Sequence, residues 1–237
     1  MIFISLLIFA ILPSFLWLLY YLKKDIHPEP KRLILYVFIA GAVFAIIGYF
    51  FQKAASSFLI SLAEDNLQLL SVLPLLYTFV IVAFSEEFLK YLAFFFTIKD
   101  HSELDEPIDI IIYMITAALG FAALENFIIL FTVSRTTPEM IQISGIRFLS
   151  GTLLHVLASG ILGGFLIYSY NLSKKYLAFV GLLAVSIMHG FYNLIAGKTD
   201  ESAFFFFVIL LFFIIFALIL SVFIKKARKM KSTCLLK

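Results

Sequence analysis

The chain has 237 residues, of which 63% are hydrophobic and only 14% are charged. Soluble domains carry about 25% charged residues, so this composition excludes a disordered chain, a nucleic-acid-binding domain and an ordinary soluble enzyme. With a single cysteine, Cys234, neither an intrachain disulfide nor CxxC chemistry is possible. We therefore expect an integral protein of the cell membrane that contacts lipids and binds no nucleic acid.

Long apolar stretches follow one another along the whole chain. A helix that crosses a bilayer needs about 20 apolar residues. The segment 53–66 is semi-polar and is expected to lie on the membrane surface as a short helix. Seven stretches qualify as spans: 2–22, 33–52, 70–98, 108–131, 147–170, 176–196 and 203–224.

These stretches predict an all-α fold, a polytopic transmembrane helical bundle of about seven spans. The third stretch, taken over 67–98, is long enough for one kinked helix or for two short helices. We expect a single integral membrane domain, 1–237, that ends in a last span at 203–224 and a basic tail at 225–237. No internal repeat is visible, so the sequence does not support an inverted-repeat transporter.

The basic residues predict the orientation, because cytoplasmic loops carry an excess of Lys and Arg. With a single third span, thirteen of the eighteen basic residues fall on one side and four on the other, and Lys90 lies within a span. Two helices in the third stretch would place Lys174, Lys175 and the basic tail outside. We therefore predict that the N-terminus lies outside and the C-terminus lies in the cytoplasm.

Some ionisable residues fall inside the apolar stretches, where each costs about 2.5 to 3.5 kcal/mol on insertion scales. Such groups normally face a polar interior and mark function. Glu86 and Lys90 are four residues apart on one helix face, so a buried ion pair is the structural alternative for these two. That pair leaves two carboxylates and two imidazoles unexplained. The six residues are Glu86, Glu87, Lys90, Glu125, His155 and His189.

The depths of these groups can be compared at about 1.5 Å per helical residue. His155, His189 and Glu125 lie roughly 12, 10 and 9 Å from the predicted outer ends of their spans, and Glu86 lies about 15 to 20 Å deep. Four helices thus place acids and imidazoles in the outer half of the membrane. The sequence therefore predicts a polar cavity there.

Two kinds of chemistry suit this set. Two neutral imidazoles and a carboxylate can bind a divalent metal such as zinc, and a further Glu can accept a proton from the activated water. Without a metal, a Glu of raised pKa and a His can activate water directly, while Asn193 or an imidazole stabilises the oxyanion. Either route hydrolyses a carbonyl bond within the membrane.

The order of these residues resembles the motifs of the PrsW family of intramembrane proteases. Residues 85–90, Ser-Glu-Glu-Phe-Leu-Lys, resemble its EExxK motif, and residues 120–126, Gly-Phe-Ala-Ala-Leu-Glu-Asn, resemble its GFAxxEN motif. His155 and the segment 189–193, His-Gly-Phe-Tyr-Asn, match its two later motifs. The resemblance covers about residues 20–196.

Two loop segments are also similar to the family, Asp-Ile-His-Pro-Glu-Pro at 25–30 and Glu-Pro-Ile-Asp at 106–109. The family is grouped with the type II CAAX prenyl endopeptidases, whose second motif usually carries His. Here that position is Glu125, as in PrsW relatives.

The resemblance implies a peptidase that cuts membrane-anchored proteins, with a single-span protein such as an anti-sigma factor as a possible substrate. Carried over residue by residue, it implies that Glu86 or Glu87 activates water. It also implies that Asn193 orients His189 or the oxyanion.

The resemblance further implies that Glu125, His155 and His189 bind a divalent metal, Zn²⁺ first among the candidates, or polarise the water. We assign Lys90 and Asn126 structural roles, Lys90 as an ion-pair partner. The motif does not decide whether a metal is required, and the sequence does not predict an oligomeric state.

Two other functions compete with the protease. A proton-coupled transporter also uses intramembrane Glu and His, but it needs ionisable groups through the full membrane thickness. A non-catalytic scaffold with the same fold would not need the complete motif set.

Overall fold

The computed structural model describes residues 2–25, 27–63, 67–134, 136–198 and 202–230. Cys234 and the end of the predicted basic tail lie outside the described residues. A π-helical segment, Tyr77–Phe84, separates two of the α-helices. The α-helices are α1 (Ile2–Leu22), α2 (Lys31–Ala63), α3 (Leu67–Leu76), α4 (Ser85–Ile98), α5 (Pro107–Val133), α6 (Thr137–Leu149), α7 (Gly151–Asn171), α8 (Tyr176–Ala196) and α9 (Ala203–Ala227).

The predicted bundle of seven spans is confirmed. Within the described part of the chain, seven helical segments are long and apolar enough to cross a membrane, and no residue there forms a β-strand. Five of these segments are single helices, namely α1, α2, α5, α8 and α9. The other two are composite, because α3 runs through the π-helical segment into α4 and α6 joins α7. The orientation of the termini stays a prediction.

The third stretch forms one span with an irregular middle, so a single interrupted helix accounts for the length of 67–98. The candidate span Leu70–Ile98 contains the π-helical segment directly before Ser85. π-Helical turns are rare and occur frequently at functional sites. Here the irregular turn delivers the first residues of α4, which include Glu86 and Glu87.

Two boundaries differ from those predicted. The segment 53–66 was expected as a separate surface helix, but residues 53–63 continue α2, because they contain no Gly or Pro to end it. The fifth span was expected at 147–170, yet the helical segment starts at Thr137. Thr136 forms a capping box at that start, and a break at Ser150, with φ −124° and ψ −99°, separates α6 from α7.

Helix α5 forms the centre of the bundle, and every residue from Pro107 to Ala123 is buried. It packs against α1, α2 and α7. Two glycines let α2 and α5 cross closely: a Cβ atom at Gly41 would lie 1.9 Å from the carbonyl oxygen of Ala117, and one at Gly120 would lie 1.9 Å from that of Phe38. Small residues permit such close helix contacts within membranes. This crossing fixes the position from which Glu125 projects, a little more than one turn further along α5.

Candidate active site

The six ionisable residues that the sequence singled out meet in one place. Lys90 Nζ donates to Glu87 Oε1 at 2.6 Å and to His155 Nδ1 at 2.7 Å. His155 Nε2 lies 2.6 Å from Glu125 Oε2, and His189 Nδ1 lies 2.7 Å from Glu87 Oε1. Four helices, α4, α5, α7 and α8, therefore contribute to one hydrogen-bonded network.

The network defines how the ring of His155 is protonated. An ammonium group only donates, so Nδ1 of His155 accepts the hydrogen bond from Lys90. The proton of a neutral ring then lies on Nε2, where it is donated to Glu125. Both nitrogens of His155 therefore have a partner, and the side chain is 98% buried between α4 and α5.

His189 is arranged differently. Its Nδ1 donates to Glu87, so a neutral ring keeps a lone pair on Nε2. That nitrogen lies 3.8 Å from Glu86 Oε2, too far for a hydrogen bond. Glu86 Oε2 is itself buried and has no hydrogen-bond partner among the described residues, while Glu86 Oε1 accepts from Gln52 Nε2 at 3.1 Å. Two acceptor atoms thus face each other across a gap that one water oxygen could bridge.

Glu125 has a second partner that the sequence did not predict. Arg147, near the end of α6, places its Nη2 2.9 Å from Glu125 Oε2 and donates from Nε to Asn126 Oδ1 at 2.5 Å. Asn126 in turn donates to Thr152 Oγ1 at 3.2 Å. In the sequence, Arg147 marked only the outer end of the predicted fifth span. The capping pattern of Thr136 and Glu139 was the signal that a helix starts earlier and that Arg147 lies within it.

The charges of the site are unequal in number. Lys90 pairs with Glu87 and Arg147 pairs with Glu125, so two of the three carboxylates have a cation within 3 Å. Glu86 has only the neutral amide of Gln52 and the distant imidazole of His189. The carboxylate that lacks a cationic partner is therefore Glu86.

Asn193, predicted to orient His189 or an oxyanion, lies one turn beyond His189 on α8 and is half-buried. Its side chain forms no hydrogen bond with the site residues that the structure describes. The π-helical segment packs directly on this part of α8: a Cβ atom at Gly190 would lie 2.3 Å from the ring of Phe79. The roles assigned from the sequence to Asn193, Lys90 and Asn126 stay predictions.

The donor set fits a divalent metal. Glu86, His155 and His189 each offer an atom that lies within 4.8 Å of the others, and all three residues are buried. Glu86 Oε2 and His189 Nε2 have free lone pairs, whereas His155 would exchange one of its two present partners. The geometry groups Glu86 with the two histidines, whereas the sequence predicted Glu125 in that position.

A partly open cavity of about 100 Å³ leads to this network from the space between α2 and α5. Tyr49 and Gln52 line it from α2, and Phe121 lines it from α5. Both Glu86 and Glu125 reach its wall, and the side chain of Glu125 is 31% exposed. A ligand in this cavity would contact the unpaired carboxylate.

A second group of acids lies at the opposite ends of the helices. Asp25, Glu106 and Asp109 approach one another closely enough to share a cation. Their described contacts are internal ones: Asp109 accepts from the backbone N–H of Glu106 at 2.7 Å and Glu106 pairs with His27 at 2.6 Å. This group, together with Glu29, is called the loop cluster below, and none of its contacts given above reaches the network around Glu86.

Comparisons with known proteins match this chain to one protein family. Residues 29–219 match the family described as PrsW family intramembrane metalloprotease. A protein named Protease PrsW from Oceanobacillus iheyensis is 33% identical over 81% of this chain and 83% of its own length. Proteins of the same name from Geobacillus kaustophilus and Bacillus subtilis are 31% and 25% identical, over 73% and 90% of this chain and 71% and 89% of their own lengths.

No solved structure matches the chain significantly. The family match extends over most of the sequence, and seven segments can span a membrane. The protein is therefore a multi-pass membrane hydrolase, in contact with lipids and with membrane proteins as substrates. The chain belongs to the PrsW family of intramembrane proteases.

Proposed function

We propose that this protease cleaves single-span membrane proteins near the extracytoplasmic end of their span, with Glu86 as the residue that accepts a proton from the attacking water. The observation that carries the proposal is the pair of free acceptors, Glu86 Oε2 and His189 Nε2, 3.8 Å apart at the end of a buried network. A water molecule between them can donate one hydrogen to each acceptor. Anti-sigma factors are one class of protein with the required topology.

The catalytic steps need few groups. The water oxygen attacks the scissile carbonyl carbon while its proton moves to Glu86. When the carbon–nitrogen bond breaks, Glu86 returns this proton to the leaving amine. We assign stabilisation of the oxyanion to Asn193, whose amide lies on the same face of α8 as His189.

Glu87 acts on the reaction through His189. Its Oε1 accepts from His189 Nδ1 at 2.7 Å and from Lys90 at 2.6 Å, which fixes the ring and keeps the lone pair on Nε2. Of the two adjacent glutamates, Glu87 therefore orients and Glu86 reacts. Adjacent helical residues point about 100° apart, so they do not share one task.

A divalent metal, with Zn²⁺ first among the candidates, would be bound by His155, His189 and one carboxylate. The distances to the two histidines favour Glu86 as this carboxylate, whereas the sequence predicted Glu125. When bound, it would supply Lewis-acid polarisation of the carbonyl and of the water. Metal content of the purified protein tests this assignment. Wild type should contain the metal and His155→Ala/His189→Ala should not, and an equal content in both would contradict it.

Cleavage of a co-expressed single-span substrate tests the proposed function. Glu86→Gln, Glu87→Ala and His189→Ala should each abolish cleavage while the protein still accumulates in the membrane. Glu103→Gln, which changes an exposed acid outside the site, is the matched control and should cleave normally. Retained cleavage in all three site variants would contradict the proposal. The metal content of the Glu86→Gln variant then distinguishes the two roles of Glu86. If Glu86 only accepts a proton, the variant keeps its metal, and if Glu86 is a metal ligand, the variant loses it.

The position of the cut tests the predicted depth. The site lies in the predicted outer half of the membrane, so mass spectrometry of the products should place the cut near the extracytoplasmic end of the substrate's span. A cut on the cytoplasmic side would contradict the orientation.

A further inference from the structure

Arg147 lies half-buried beside the network although no motif of the sequence includes it. Its side chain is 17% exposed, and its guanidinium group contacts two adjacent residues of α5: it forms an ion pair with Glu125 and donates a hydrogen bond to Asn126. The planar fork of Arg suits such a double contact, which the single ammonium of Lys does not reproduce. We propose that Arg147 is a positioning residue of the active site that acts through Glu125. This inference rests on the proposed function.

The break between α6 and α7 brings Arg147 to this place. Ser150 leaves the helical conformation, and the Arg147 side chain folds back over the first turn of α7. A Cβ atom at Gly151 would lie 2.7 Å from both Cζ and Nη1 of Arg147 and 2.9 Å from Nη2. The space that a side chain at position 151 would take is thus filled by the guanidinium group.

The contacts continue from Arg147 to the reacting gap. Glu125 Oε2 forms an ion pair with Arg147 Nη2 at 2.9 Å and accepts a hydrogen bond from His155 Nε2, so the cation determines which way the carboxylate presents its oxygen to the ring. His155 Nδ1 in turn accepts from Lys90, which bonds to Glu87, and Glu87 orients His189. In the part of the chain that the structure describes, Arg147 forms no bond with Glu86 and does not line the cavity that reaches it, so its effect on hydrolysis passes through its ion pair with Glu125 and the hydrogen bonds that follow.

The charge balance gives Arg147 a second effect. Glu86 and Glu125 both reach the wall of the same cavity, and neither shares the cation of Glu87. With Arg147 present, Glu125 is neutralised and Glu86 is the one uncompensated carboxylate among the three. Without Arg147, two uncompensated carboxylates would face one small cavity, and a substrate carbonyl would meet both.

Kinetics of the purified, detergent-solubilised full chain test the proposal. Arg147→Gln should lower kcat by about 10- to 100-fold, as loss of a supporting hydrogen bond typically does, with a much smaller change in KM. Arg147→Lys should recover part of kcat, since it restores the charge beside Glu125 without the bond to Asn126. Arg228→Gln is the matched control. Arg228 donates to the backbone oxygen of Lys24, far from the site, so this variant should cleave normally.

Two combinations separate positioning from simple structural support. If Arg147 acts through Glu125, the double variant Arg147→Gln/Glu125→Gln should be no slower than Glu125→Gln alone. Gly151→Ala should displace the guanidinium group and reproduce the kcat loss of Arg147→Gln, and it should add nothing when combined with that variant. An Arg147→Gln enzyme within about twofold of wild type would overturn the proposal, and so would losses that multiply in the double variants.

The same set of variants also gives a readout that does not depend on cleavage. Thermal unfolding should show coupling between Arg147→Gln and Glu125→Gln, because the two residues share one contact. If wild type cleaves no membrane substrate, the proposed function fails. Thermal unfolding of the two single variants and the double variant then still tests the contact between Arg147 and Glu125. Independent, additive shifts in melting temperature would overturn that contact.

Discussion

The protein has two groups of acidic residues, one deep in the helical bundle and one at the start of α5 and in the loops beside it, that differ in how their charges are compensated. Around Glu86 the acids lie deep in the helical bundle, and two of the three pair with the cations Lys90 and Arg147. In the loop cluster the described partners are the ring of His27, the hydroxyl of Tyr113 at 2.5 Å from Glu29, and backbone N–H groups. Similar residue types thus give two different environments.

The difference shows where an acid is free to react. In the loop cluster, carboxylates complete a capping box at the start of α5, in which Glu106 and Asp109 satisfy each other's backbone N–H groups. In the buried network, Glu86 Oε2 and Glu87 Oε2 have no hydrogen-bond partner among the described residues. A buried polar atom without a partner is costly, and proteins keep such atoms mainly at functional sites. The cations Lys90 and Arg147, which leave Glu86 as the one acid of its group without a charge partner, distinguish this network from the loop cluster, and the number of acids does not.

Removal of the buried charge partner should give the largest effect. Glu87→Gln leaves Lys90, which is fully buried, without its carboxylate and should lower the free energy of unfolding by about 3 to 5 kcal/mol. Chemical denaturation in detergent measures it. The matched change in the loop cluster, Glu106→Gln, weakens a pair whose His27 side chain is 75% exposed and should cost about 0 to 1 kcal/mol.

A second pair of variants checks the cause. Replacing both partners, as in Glu87→Leu/Lys90→Met, removes the uncompensated charge and should recover most of the lost stability while cleavage stays absent. If the double variant is as unstable as Glu87→Gln, the ion pair is not the reason for the loss.

Neutralising the unpaired carboxylate should have the opposite sign. Glu86→Gln removes a buried charge with a free oxygen, so it should raise the free energy of unfolding by about 1 to 3 kcal/mol while it abolishes cleavage. The measurement is thermal unfolding of both proteins in the same detergent. A less stable Glu86→Gln would mean that Glu86 contributes to folding as the other two acids do.

The sequence predicted the spans and the six ionisable residues because both depend on short-range information: apolar run length, and charges inside those runs. It did not predict Arg147, since a basic residue near a span end is normally a topology signal. The sequence also did not predict the partner of Glu86, because Gln52 lies on α2 and approaches α4 only when the two helices pack against each other in the folded bundle. Which carboxylate stays unpaired follows from three-dimensional contacts alone.

Loss of a helix cap in the loop cluster should have a moderate effect. Asp109→Ala removes the carboxylate that accepts from the Glu106 backbone and should lower the free energy of unfolding by about 0.5 to 2 kcal/mol. Cleavage per folded molecule should stay close to that of wild type, because α5 keeps its central packing. A large loss of kcat in this variant would show that the two clusters are coupled.

The smallest effect should be a pH dependence that belongs to the loop cluster. Burial raises the pKa of Glu29, the neighbouring Asp25 and Asp105 raise it further, and hydrogen bonds with Tyr113 and Asp109 oppose these effects. The folded state therefore binds this proton more tightly than the unfolded chain does. Its contribution to stability is complete below the pKa of an unfolded Glu and is lost as the pH rises through the raised pKa of the folded state. Glu29→Gln mimics the neutral acid, so it should lose less stability than wild type as the pH rises. Melting temperatures at a series of pH values measure this difference. Glu103→Gln is the control for the loss of one negative charge. An unchanged pH profile in Glu29→Gln would assign the dependence to another group.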